Sequence, residues 1–111
     1  MKKLFTNLNF EFNKNEKKLL SSFCKQALKQ MGSEDKYFGE RRAFNSILEK
    51  LNADTGTIKL TKDEKIRLTN TIKQNIDYLK KEMGKSGFLK KWLMKSLYKQ
   101  YTDIYDNHFK G

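Results

Sequence analysis

Lys91, Lys95 and Lys99 recur every four residues, and no acidic residue lies between Glu82 and Asp103 to neutralise them. Lys85 and Lys90 share this acid-free stretch with Trp92, the chain's one tryptophan, and with Phe88 and Tyr98. At about 100° per residue, a four-residue spacing keeps side chains on one stripe of a helix. A face of this kind is suited to negative charge. Ammonium groups contact phosphate or carboxylate oxygens without reading a sequence, and exposed aromatic rings stack on unpaired bases. On the same helix Leu89, Leu93, Leu97, Tyr101 and Ile104 form an apolar stripe almost opposite the lysines, which predicts one buried face and one exposed face.

Arg41-Arg42 is the other conspicuous basic pair. Its neighbour Glu40 suggests an intrahelical ion pair; capture of phosphate or carboxylate is the sharper alternative. The candidate contact residues for nucleic acid or an acidic partner are therefore Lys85, Lys90, Lys91, Lys95, Lys99, Trp92, Tyr98, Arg41 and Arg42.

Residues suited to catalysis are scarce. Cys24 and His108 are the only cysteine and histidine, too few ligands for a zinc site. Cys24 falls on a helical apolar face with Leu20, Phe23, Ala27 and Leu28, so it reads as a buried hydrophobe rather than a nucleophile. Asp103 and Asp106 share a face at i, i+3, the minimal basis for a metal reading. No phosphate-loop, dinucleotide-binding or nucleophile-elbow motif occurs. Gly84-Lys85-Ser86-Gly87, at the start of a helix, offers N–H groups that could hold a phosphate, or is an ordinary turn. The expectation is a protein that is not an enzyme and holds no metal or cofactor.

Over its 111 residues the chain carries a formal net charge of +11, a field that attracts polyanions. Lysine-rich composition with abundant Asn, Ile, Phe and Tyr also follows from an AT-rich genome, which suggests a low-GC bacterium or its phage or other mobile element. Genome bias alone does not explain the distribution, however: residues 32–52 are neutral, whereas 13–31 and 85–111 each carry +4. Eight Phe and five Tyr are too much bulk for a disordered chain. There is no apolar run long enough to span a membrane. Polar Asn7, Asn9 and Glu11 interrupt what a signal peptide would need as its apolar stretch, so a cytoplasmic protein is expected.

The elements that must position these residues can be read from periodicity and caps. Residues 7–13 alternate as a strand does. Asn13 and Glu16 form a variant capping pattern ahead of a helix over 14–31, which Gly32 ends. A second helix is expected over 35–52, with Tyr37, Phe38, Phe44, Ile47, Leu48 and Leu51 on its apolar face and a start weakened by Gly39. After a turn at 52–56, Thr57-Ile-Lys-Leu60 is rich in strand formers. Thr61 and Glu64 form a capping box before a third helix over 62–83, which carries Leu68, Ile72, Ile76, Leu79 and Met83 on one face. Ser86 can cap a fourth helix over 87–108.

The predicted fold is mainly α: a single basic helical domain over 1–111, with four helices and a two-stranded ribbon pairing 8–12 with 57–60. Leu20, Phe23, Leu28, Phe44, Leu48, Ile72, Ile76, Leu79, Leu93 and Leu97 are its expected core. Three functions fit. The first is a nucleic-acid-binding accessory protein that contacts phosphates of DNA or RNA through the basic helix at 85–101. The second is a phage or mobile-element interaction module that sets the same face on an acidic host protein surface. The third is a peripheral membrane binder.

Overall fold

The computed structural model describes residues 8–53, 56–85 and 87–110, apart from the side chains of Phe88 and Leu89. Asn7, part of the turn at 52–56, and the cap expected at Ser86 lie outside the described residues. The described chain is mainly helical, with four α-helices and a two-stranded antiparallel sheet. It divides into two compact units, Met1–Arg67 and Leu68–Gly111.

The first unit begins with β1 (Asn9–Phe10) and α1 (Lys14–Met31). Glu16 N–H donates to Asn13 Oδ1 at 2.8 Å and Asn13 N–H to Glu16 Oε1 at 2.9 Å, so two otherwise orphaned donors are satisfied at the start of α1. Gly32 closes α1 with a positive φ of 62° and donates its N–H to the Leu28 carbonyl. A 3-10 turn, Asp35–Tyr37, leads into α2 (Phe38–Asn52), where one continuous helix from residue 35 was expected. Gly39 does more than weaken this start. A Cβ there would meet Arg67 Nη2 at 3.3 Å, so the glycine leaves room for that guanidinium.

β2 (Ile58–Lys59) pairs with β1 in the register Asn9 with Lys59 and Phe10 with Ile58. Leu60 N–H donates to the Leu8 carbonyl at 2.9 Å, extending the ribbon by one bond. The alternation places Phe10, Phe12, Ile58 and Leu60 inside. The rings of Phe10 and Phe12 stack at 5.5 Å. α1 and α2 pack on each other and bury Leu20, Phe23, Cys24, Phe44, Ile47 and Leu51. Leu28 and Leu48 are only half-buried. Phe38, placed by periodicity on the apolar face of α2, is 60% exposed, because it opens the helix ahead of the packed stretch from Ala43.

α3 (Lys62–Lys85) starts in the first unit and supplies much of the second. Its cap forms as expected: Glu64 N–H donates to Thr61 Oγ1 at 3.0 Å and Thr61 N–H to Glu64 Oε1 at 2.9 Å. In the second unit α3 buries Leu68, Ile72 and Leu79, with Ile76 and Met83 half-buried, so the assigned helical phase is the observed one. α3 runs two residues past the expected end. α4 (Phe88–Ile104) follows and continues into a π-helical turn, Tyr105–Phe109.

On α4 the buried residues are Tyr101 and Ile104, with Phe109 in the π turn beyond and Met94, Leu97 and Tyr98 half-buried. Leu93 was expected in the core and is 56% exposed. The buried face is turned by roughly 60° toward Met94 and Tyr98 from the Leu89–Ile104 stripe, at about 100° per residue. Among the side chains described on α4, the fully buried ones, Tyr101 and Ile104, lie in its carboxyl-terminal half, and Leu93 precedes them.

Candidate functional site

The turn of α4 that exposes Leu93 carries Trp92 fully outward. Trp92 and Tyr101 are nine positions apart, about 900° of helical rotation, and so lie on opposite faces. Trp92 is 71% exposed, the most exposed large apolar side chain among the described residues. It shares the outer face with Lys95 and Lys99, three and seven positions on. Position in sequence left Trp92 between two stripes; burial decides for the basic one.

Lys90, Lys91 and Lys95 are exposed, and among the described residues none of them has an ion-pair partner. The two ends of the basic stretch differ. Lys99 Nζ lies 3.1 Å from Asp103 Oδ2, and Lys85 Nζ lies 4.0 Å from Glu82 Oε2. The acids bordering the acid-free stretch thus reach back and partly neutralise its ends, and the unpaired charge is concentrated at 90–95. Exposed pairs of this kind contribute little stability and are readily exchanged for another anion.

Along the outer face runs a groove of about 580 Å³ whose described lining is Trp92, Lys95, Ser96, Tyr98, Lys99, Thr102 and Asp103. It brings together four of the candidate residues: Trp92, Lys95, Tyr98 and Lys99. Tyr98 forms its half-buried side. The Thr102 hydroxyl is buried without a hydrogen-bond partner among the described residues, a vacancy that costs about 1–3 kcal/mol where nothing fills it.

Arg41 and Arg42 belong to the first unit and line a separate depression of about 390 Å³ with Phe38, Asn45, Ser46 and Glu49. The ion pair expected with Glu40 does not form. Arg41 Nη1 instead donates to the Glu34 carbonyl at 2.6 Å, and Glu40 pairs with Arg67. Adjacent helical residues do not face each other, so Glu40 was poorly placed for either arginine. Arg67 is held by Asp63 as well, and the hydrogen bonds to Glu40 and Asp63 raise its already high pKa. The i,i+4 spacing of Asp63 and Arg67 was a local signal for one half of this cluster; nothing local pointed to Glu40, because Glu40 and Arg67 are far apart in the chain.

Among the described residues no group of three or more His, Cys, Asp or Glu is placed to hold a metal ion. Asp103 is engaged with Lys99, and Asp106 lies 4.0 Å from Lys110. Burial pushes the Cys24 thiol up to about 12, so it is protonated at neutral pH. His108 sits edge-on to Phe109, centroids 6.4 Å apart. Gly84 and Lys85 belong to the last turn of α3, where the helix dipole presents its negative end, and this removes them from a phosphate-holding loop. No helix among the described residues is long and apolar enough to cross a membrane.

Comparison with protein families, with curated proteins and with solved structures finds no match.

Proposed function

We propose that the protein binds nucleic acid, DNA or RNA, through the outer face of α4, as a non-enzymatic accessory protein in the cytoplasm of a low-GC bacterium or of a cell carrying its mobile element. The observation that carries this reading is the exposure of Lys90, Lys91 and Lys95 without a carboxylate partner among the described residues, in a chain of net charge +11. Lys50 and Arg67 of the first unit are held by carboxylates, whereas Lys90, Lys91 and Lys95 lie on one helix in a stretch with no acid between Glu82 and Asp103. Lysines on a helix face attract the phosphate backbone and release its counterions, so affinity falls steeply with salt and depends little on sequence.

The test is a salt titration of binding to random-sequence DNA and RNA. Reversing Lys91 and Lys95 together to Glu should nearly abolish binding near physiological salt. It should flatten the slope of log K against log salt by about 2 for duplex DNA, since each phosphate contact contributes about −0.9. Adding Lys99→Glu should flatten the slope further, by up to about 0.9, as Lys99 exchanges Asp103 for phosphate. An unchanged slope after the double reversal removes α4 from the interface.

A second reading is favoured by one observation: Leu93 is exposed beside Trp92. Phosphates have no use for a leucine, whereas an interface with an acidic protein centres on such apolar anchors. If the double reversal abolishes capture of one acidic host protein and leaves DNA and RNA binding untouched, this reading replaces the first.

A further inference from the structure

We infer that the α4 groove is a seat for an unpaired base, so that the protein prefers single-stranded to double-stranded nucleic acid; this rests on the nucleic-acid reading of the same face. Three observations support it. Trp92 presents a 71% exposed indole on the side of α4 opposite the buried Tyr101, so the ring is not held by the core. Lys95 and Lys99 stand on that same face, and with Ser96, Tyr98 and Thr102 they line the groove beside the indole. The groove's volume, about 580 Å³, is of the order of pockets that take small ligands.

The physics separates two contributions. Lysine–phosphate contact serves single and double strands alike. Stacking on an aromatic ring needs a base with an open face, which only an unpaired strand presents. An exposed ring beside cations therefore adds affinity for the single strand and little for the duplex. Lys95 and Lys99 line the same groove as the indole, and there they would hold the backbone of the nucleotide whose base it covers. Lys99 reaches phosphate by leaving Asp103, an exposed pair that competes weakly.

The chain provides its own probe, because Trp92 is the only tryptophan. The native protein is titrated with an oligothymidylate of about 16 nucleotides, the upper range of single-strand site sizes. Parallel titrations use a blunt duplex with the same number of phosphates and vesicles of phosphatidylserine and phosphatidylcholine. The oligothymidylate should quench Trp92 emission; the duplex should bind with little quenching. Trp92→Ala should weaken single-strand binding on the order of tenfold and leave duplex binding within about twofold, and Trp92→Phe should recover most of the loss. The inference is overturned, with the phosphate reading intact, if the oligothymidylate binds in a Lys91- and Lys95-dependent way without quenching, or if Trp92→Ala weakens both forms equally. Failure of both nucleic acids to bind at low salt removes both readings. If only the vesicles bind and shift the emission to the blue, the face is a lipid-surface helix and the inference falls.

Discussion

The start of α3 and the start of α4 both carry basic residues on a helix, but only the first has carboxylates beside them. At the start of α3, Glu64 is only 6% exposed, and Lys50 Nζ lies 2.6 Å from its Oε1. Burial alone would raise its pKa. Hydrogen bonds from Lys50, Ser46 and the Thr61 N–H, with the Lys50 charge, outweigh that and hold it below the ordinary glutamate value. Arg67 nearby is shared between Glu40 and Asp63. In α4, Lys90, Lys91 and Lys95 have no such partner among the described residues, and the pair that does form there, Lys99 with Asp103, is exposed. Net charge does not separate these two regions. The placement of acids does: at the start of α3 carboxylates hold Lys50 and Arg67, and on α4 Lys90, Lys91 and Lys95 have no such partner among the described residues, which is what the proposed function rests on.

The sharpest way to break this contrast is to ask which substitutions unfold the protein. Phe44→Ala removes a fully buried ring from the first unit and should cost about 3–5 kcal/mol in chemical denaturation. Ile72→Ala, in the second unit, should cost about 2–5 kcal/mol, and Ile76→Ala should cost less, since Ile76 is only half-buried. Equal losses at Ile72 and Ile76 would mean that α3 is rolled differently.

The cap is a smaller effect. Thr61→Ala should lower stability by about 1 kcal/mol and Asn13→Ala by a comparable amount; an unchanged midpoint for Thr61→Ala would place the start of α3 elsewhere. Acid probes the same cluster. Because the folded-state pKa of Glu64 is depressed, its contribution is fully present above the ordinary value of 4.5 and is lost as pH falls through the lower folded value. Glu64→Gln should therefore be the less stable protein at neutral pH, with the difference narrowing below about pH 4.5. A gap that persists in acid would assign the cost to packing rather than to charge. Smallest of all, Lys91→Ala and Lys95→Ala should leave stability within about 0.5 kcal/mol while weakening binding to polyanions. A larger loss would show that these lysines support the fold.

Much of this architecture is legible without coordinates, and for a common reason. The caps at Asn13 and Thr61, the glycine stop at Gly32 and the bounds of α1 depend on groups three or four residues apart, which side-chain type and spacing specify directly. The ribbon follows from two alternating stretches, each of which needs a partner to bury one face. The candidate lysines were identifiable because the run from 83 to 102 lacks acid, a property of composition alone.

What helical periodicity could not decide is which part of each helix finds a neighbour. The stripe Leu89–Ile104 is apolar along its length, but burial depends on the surface opposite: among the side chains described on α4 the fully buried ones lie in its second half, Leu93 is left exposed, and Trp92 lies on the face opposite Tyr101. The same limit exposed Phe38. Ion pairs between distant residues, Lys50 with Glu64 and Arg67 with Glu40, leave no local trace, because attraction between charges depends on distance in space and the chain between them can take any course. Tertiary structure thus decided the orientation on which the proposed function rests: the one tryptophan faces outward beside Lys95 and Lys99, because packing turned the buried side of α4 away from it.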